Sequence, residues 1–220
     1  VPVKVKICGV RTPAIVTAAA EEGADYVGFV FVDKSPRHLT VAQAKTLAEV
    51  ARGKIGTAAV LVDPDDTLID SIVESVRPDL LQLHGKETPE RTAAIKLRTR
   101  LPVMKAVSVA AADDVEKASD YAGDADFVLF DSKAVPGTAL PGGNGVTFDW
   151  RVLKGVATPF ALSGGLTPDN VGEAIRLTGA SFVDVSSGVE RAPGEKDEAL
   201  VRGFIRAARA AAPQARAKAS

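Results

Sequence analysis

One cysteine in 220 residues leaves no partner for an intramolecular disulfide and too few thiols for a cysteine-rich zinc site. Stability must therefore come from a packed core, and the composition suits a reducing compartment. A surplus of charge of either sign is also missing. With 27 Lys and Arg against 28 Asp and Glu, the formal net charge is -1. No global field is available to capture nucleic acid or an anionic membrane, so an anionic ligand must be held by a local device. Long apolar runs are absent: none approaches the ~20 residues of a membrane span. Val1-Pro2-Val3-Lys4 runs straight into a strand pattern without the apolar stretch of a signal peptide. The expectation is a cytoplasmic protein acting on a small molecule, with no nucleic-acid or membrane partner, as a monomer or homodimer.

What is present is ordinary globular material, 46% hydrophobic and 25% charged, of a length that suits a single domain. Short β-branched or aromatic runs alternate with Ala-rich amphipathic segments at a period of roughly 27 residues, the size of one strand-plus-helix unit. Strands are expected at Val3 to Cys8, Tyr26 to Phe31, Thr57 to Val62, Leu80 to His84, Val103 to Val107, Phe127 to Asp131, Phe160 to Ser163 and Phe182 to Val185. Helices are expected near 14–22, 41–52, 66–76, 90–99, 113–120, 149–155, 169–177 and 197–211. Thr12-Pro13, Thr88-Pro89 and Thr167-Pro168 each offer a hydroxyl N-cap followed by proline at the first helical position, and Thr40 with Gln43 reads as a capping box. Repeated βα units demand a parallel sheet with right-handed crossovers, and eight of them suit a closed (β/α)8 TIM barrel, which has no sheet edges. The barrel should span residues 1–212, leaving 213–220, which lack an apolar face, as a frayed tail.

In such a barrel, function belongs at the C-terminal ends of the strands. Those ends carry Cys8-Gly9, Asp63, His84-Gly85, Asp131, Ser163-Gly164-Gly165 and Ser186-Ser187-Gly188, and the opposite ends show nothing comparable. The glycine loops after the seventh and eighth strands suit a phosphate grip through backbone N–H groups, although glycines also serve tight turns. Cys8 is either an inert buried thiol or a reactive one tuned by Lys6, which alternation places on the same strand face. Asp131, ending an apolar run, is either a loop cap or an acid whose pKa a poorly solvated mouth would raise. Facing each other across the mouth, a thiolate base and a carboxylic acid suit a proton-shuffling isomerisation. Arg37, after Ser35-Pro36, is a carboxylate clamp or a solvated loop charge, and His84 has a supporting place. Gly142-Gly143-Asn144-Gly145 suggests a lid over the mouth or an ordinary flexible loop. Lys6 and Asp184 should form a buried, largely structural ion pair once the barrel closes.

Taken together, Lys6-Ile7-Cys8-Gly9, Gly23-Ala24-Asp25, Ser35-Pro36-Arg37, Gln82-Leu83-His84-Gly85, Leu129-Phe130-Asp131, Phe148-Asp149-Trp150, Leu162-Ser163-Gly164-Gly165-Leu166 and Asp184-Val185-Ser186-Ser187-Gly188-Val189-Glu190 resemble the phosphoribosylanthranilate isomerase family. The resemblance runs from about Val3 to about Ile205, with Pro193-Gly194 and Lys196-Asp197 included. Asn144 departs from it, standing where the family commonly has Thr. The resemblance implies an Amadori rearrangement of N-(5-phosphoribosyl)anthranilate, a step of tryptophan biosynthesis. It implies Asp131 as general acid, Cys8 as general base, Arg37 on the anthranilate carboxylate, and Gly164, Gly165, Ser187 and Gly188 on the phosphate. His84, Ser163 and Ser186 would support them, without metal or cofactor. Other phosphate-binding barrels, such as indole-glycerol-phosphate synthase or a sugar-phosphate epimerase, would need catalytic Lys and Glu or metal-binding His and Asp in other places. A non-catalytic phospho-ligand sensor would keep the glycine loops but need not keep Cys8 or Asp131.

Overall fold

In the computed structural model, which describes residues 2–132, 148–156 and 158–211, eight parallel strands close into a barrel in chain order. The strands are β1 (Lys4–Cys8), β2 (Tyr26–Val30), β3 (Gly56–Leu61), β4 (Leu80–Leu83), β5 (Val103–Val109), β6 (Phe127–Ser132), β7 (Phe160–Leu162) and β8 (Phe182–Val185). Around them lie helices α1 (Pro13–Glu21), α2 (Val41–Ala51), α3 (Asp66–Ser75), α4 (Pro89–Thr99), α5 (Ala112–Glu116), α6 (Val171–Thr178) and α7 (Glu198–Ala211). Thr12, Thr40 and Thr88 cap α1, α2 and α4 through their side chains, with the expected prolines at the starts of α1 and α4 and a complete capping box at Thr40 and Gln43. The expected lid at 142–145 and tail at 213–220 lie outside the described residues.

Three expectations need correction. Thr167 does not cap α6, because the Asn170 side chain accepts from Thr167 N at 2.8 Å and donates to the Gly165 carbonyl at 3.0 Å, bracing a turn that delays the helix to Val171. The segment near 149–155 forms only a 3₁₀ turn, Trp150–Leu153, where Asp149 accepts from Arg151 N and its guanidinium locally. A two-stranded antiparallel hairpin, β9 (Glu190–Ala192) and β10 (Glu195–Lys196), follows β8 and was not expected from the sequence pattern.

Period-two alternation sorts the barrel residues. One set, including Ile7, Phe29, Leu61, Leu83 and Val183, points outward to the helices and joins the main core with Ile69, Ile95, Val171, Phe204 and Ile205. The other set fills the interior, where Leu80, Met104, Leu129 and Phe182 make an apolar floor. Phe182 stacks on Tyr26 at 5.8 Å and meets Phe127 edge-on at 6.1 Å, so the lower barrel is solid rather than a channel.

The N-terminal face carries backbone braces in place of a cluster of reactive groups. Asp25, immediately before β2, accepts from Val5 N of β1 at 2.7 Å. Asp79, before β4, does the same for Thr57 N of β3 at 2.7 Å, and Asp126, before β6, for Val103 N of β5 at 2.9 Å. Before β8, the Ser181 hydroxyl donates instead to the Phe160 carbonyl of β7 at 3.3 Å. These braces satisfy backbone groups at strand starts that burial would otherwise leave unpaired. Phe182→Ala is expected to lower the unfolding free energy by about 3–5 kcal/mol, because the sealed floor cannot collapse into the space left behind. A urea titration checks this: the midpoint should fall at unchanged slope, and a loss below about 1 kcal/mol would contradict a close-packed floor.

Candidate active site

Where the strands end, the interior opens into a cleft. Cys8 at the end of β1, His84 just after β4 and Asp131 on β6 all line it. Arg37 from the loop after β2 lines it too, as do Ser163, Gly164 and Gly165 after β7 and Ser186, Ser187 and Gly188 after β8. Asp63 does not. Its side chain accepts from Lys86 N at 2.6 Å and its own N–H donates to Glu87, so it shapes the loop after β4. Val30, Val32, Val60 and Val62 form an apolar wall, which is where an aromatic ring would be desolvated.

The two glycine loops interlock. A Cβ on Gly188 would lie 1.8 Å from the Leu166 carbonyl oxygen, and one on Gly164, at φ +86°, would lie 2.7 Å from Ser132 N. Only glycine allows this approach, which brings the backbone of both loops to one side of the cleft.

Asp131 is held by two donors: Ser132 N to Oδ1 at 2.9 Å and His84 Nε2 to Oδ2 at 3.1 Å. On the far side of the imidazole, the Gln82 amide nitrogen lies 2.9 Å from Nδ1. With that amide donating, Nδ1 accepts and Nε2 carries the proton toward Asp131. Cys8 lies opposite, three strands away around the ring by way of β8 and β7.

Below Cys8, the expected ion pair is present. Lys6 and Asp184 are register partners across β1 and β8, with Nζ 2.7 Å from Oδ2 and both side chains buried. Burial alone would drive Lys6 toward its neutral form, but Asp184 and Cys8 together outweigh it and hold its pKa above the usual lysine value. For Cys8 the balance runs the other way: burial pushes the thiol up, and Lys6, Lys196 and Arg37 offset only part of that rise.

Arg37 is no solvated loop charge, being 5% exposed. Its Nε and Nη2 donate to Glu190 Oε1 and Oε2, each at 2.8 Å, so one edge of the fork is engaged within the protein. Glu190 also pairs with Lys196 at 2.6 Å. Burial raises the Glu190 pKa and lowers that of Lys196. For Glu190, Arg37 and Lys196 outweigh burial and hold the carboxyl below its usual range, whereas for Lys196 burial prevails. Sequence reasoning gave neither residue a function. The available signal was the placement of a Glu and a Lys in a short segment without helical period beside a glycine loop. Among the described residues, no group of three His, Cys, Asp or Glu side chains is placed to hold a metal ion.

Residues 5–207 match the family model for N-(5'phosphoribosyl)anthranilate (PRA) isomerase. The chain belongs to the PRA isomerase family. The N-(5'-phosphoribosyl)anthranilate isomerase of Rhodopseudomonas palustris (strain BisA53) is 54% identical over 211 residues, 95% of this chain and 97% of that protein. Among solved structures, monomers of the dimeric phosphoribosylanthranilate isomerase of Thermotoga maritima superpose with a TM-score of 0.81 at 34% identity, covering 94% of this chain and 99% of that one. A phosphoribosyl anthranilate isomerase in complex with reduced 1-(o-carboxyphenylamino)-1-deoxyribulose 5-phosphate also superposes with a TM-score of 0.81, at 33% identity and the same two coverages.

As the only cysteine of this PRA isomerase chain, Cys8 reports on its own environment without background. The ligand-free protein should react slowly with iodoacetamide at neutral pH, the rate rising through an apparent pKa above the ordinary thiol value of 9.0, because burial disfavours the thiolate. Mass-spectrometric counting of the adduct against pH measures this. A midpoint below about pH 8 would mean that the surrounding cations outweigh burial.

Proposed function

We propose that this chain catalyses the Amadori rearrangement of N-(5'-phosphoribosyl)anthranilate to the corresponding 1-deoxyribulose phosphate, a step of tryptophan biosynthesis. The observation that carries this reading is one cleft lined by a thiol, a carboxyl group, an arginine and two interlocked glycine loops, in a chain of this family. The reading is proposed for a monomer or a homodimer alike. A functional free thiol suits a reducing compartment, and the reaction is placed in the cytoplasm.

In this mechanism, Asp131 gives its proton to the furanose ring oxygen. The C1–O bond breaks, and the aniline nitrogen becomes a cationic Schiff base. Cys8, as thiolate, removes the proton from sugar C2; the C2–H electron pair flows to the nitrogen and leaves an enolamine that relaxes to the ketone. The iminium nitrogen is the electron sink, so the chemistry calls for no cofactor. The iminium also answers the difficulty of a buried base. To act, the thiol first releases its proton to solvent; the positive charge of the iminium beside Cys8 then favours the thiolate and also acidifies C2–H.

His84 is the positioning residue for Asp131, holding Oδ2 through Nε2–H. Asp184 lines the cleft, and its Oδ1 is a buried acceptor without a hydrogen-bond partner among the described residues, suited to a sugar hydroxyl. Backbone N–H groups of Gly164, Gly165, Ser187 and Gly188 would take the phosphate, supported by Ser163 and Ser186, while Arg37 would meet the anthranilate carboxylate. Anchored at both ends, the substrate would present C1 and C2 between base and acid.

Loss of anthranilate fluorescence as substrate is consumed tests the activity itself. Cys8→Ala and Asp131→Asn should each lower kcat by at least ~10²-fold with the fold retained, the scale of general acid–base catalysis, and near-normal turnover in either removes that role. Arg37→Ala should mainly raise KM, and an equal loss with a substrate lacking the carboxylate would remove the clamp.

A further inference from the structure

The hairpin after β8 carries two buried charged side chains that the mechanism above leaves unused. Glu190 and Lys196 have side chains only 4% and 1% exposed. Glu190 spreads its carboxylate across two partners: Arg37 donates from Nε and Nη2 at 2.8 Å each, and Lys196 Nζ lies 2.6 Å from Oε1. Lys196 also donates to the Ser186 carbonyl at 2.9 Å, at the start of the loop that holds Ser187 and Gly188. The hairpin turn presses on the Arg37 loop directly, since a Cβ on Gly194 would lie 2.4 Å from the Pro36 carbonyl oxygen. One carboxylate thus joins the residue assigned to one end of the substrate to the loop assigned to the other.

We propose that Glu190 is a specificity-determining positioning residue: with Lys196, it fixes the direction of the Arg37 guanidinium and its separation from the phosphate loop. The proposal rests on the reading of Arg37 as the carboxylate ligand. Charge explains why a third residue is needed. An Arg–Glu pair alone is neutral and gives an incoming carboxylate little attraction, whereas Arg37, Glu190 and Lys196 together carry one net positive charge. A rigidly held guanidinium also loses less rotational freedom on binding. The hairpin therefore acts as a spacer, favouring substrates whose carboxylate and phosphate are separated by the distance it sets.

The test compares the natural substrate with N-(5'-phosphoribosyl)aniline, which lacks the carboxylate, following the sugar protons by NMR. Glu190→Gln should raise KM for the carboxylated substrate about tenfold with kcat within about threefold, and leave the aniline kinetics unchanged. In an Arg37→Ala background the same change should add less than about twofold, since the residue it positions is gone. Glu190→Asp, which keeps the charge but shortens the reach, should show the same carboxylate-selective rise and serves if Glu190→Gln folds poorly. An equal loss with both substrates, or a full additive loss in the Arg37→Ala background, overturns the proposal and leaves the Arg37 reading standing. Arg37→Ala that is equally impaired with both substrates overturns both.

Discussion

The barrel closes where β1 meets β8, and at that seam a lysine and an aspartate face each other out of reach of water. Lys6 and Asp184 make an expensive contact, because each charge has been stripped of its hydration, and such a pair adds little to stability compared with apolar residues of the same size. Once present, however, neither member can be lost alone, since the survivor would be an unpaired buried charge costing about 3–5 kcal/mol. The pair is satisfied in the observed register of the closing seam, and register decides which β1 and β8 side chains face inward. Cys8 reaches the cleft, two residues beyond Lys6 on the same strand face, only if that register holds.

Much of this was legible in the sequence because the barrel repeats one simple rule. Apolar alternation and threonine–proline helix starts marked the strands and most helices. Closure of eight strands alone sets Lys6 beside Asp184. Local competition hid other parts. Asp149 accepts from Arg151 two residues away, so the segment there tightens into a 3₁₀ turn, and Asn170 braces a turn where Thr167-Pro168 has the pattern of a cap. Least legible was the environment of Arg37, whose partner Glu190 lies 153 residues later in the chain. No local pattern announces such a pairing or the burial of Lys196 beside it.

The cleft combines an apolar valine wall with donors placed around its rim, and the two depend on each other. A wall that excludes water strengthens each hydrogen bond aimed at the substrate, but it also raises the free energy of any charge the protein keeps there unpaired. Glu190 accordingly lies between two cations, Arg37 and Lys196, and the Asp131 carboxyl is met by His84 and a backbone N–H. Cys8 is the exception: its neighbours do not fully offset the cost of its anion.

The braces on the N-terminal face carry a different consequence. Asp25, Asp79, Asp126 and Ser181 each tie an even-numbered strand back to the odd-numbered strand before it. The ring is thereby a set of four stitched quarters, each delivering its own part to the opposite face: the thiol and the Arg37 loop from the first, the imidazole from the second, the carboxyl from the third and the interlocked glycine loops from the fourth. No quarter holds a working pair. The division of labour means that the cleft is complete only once the last quarter has closed the ring.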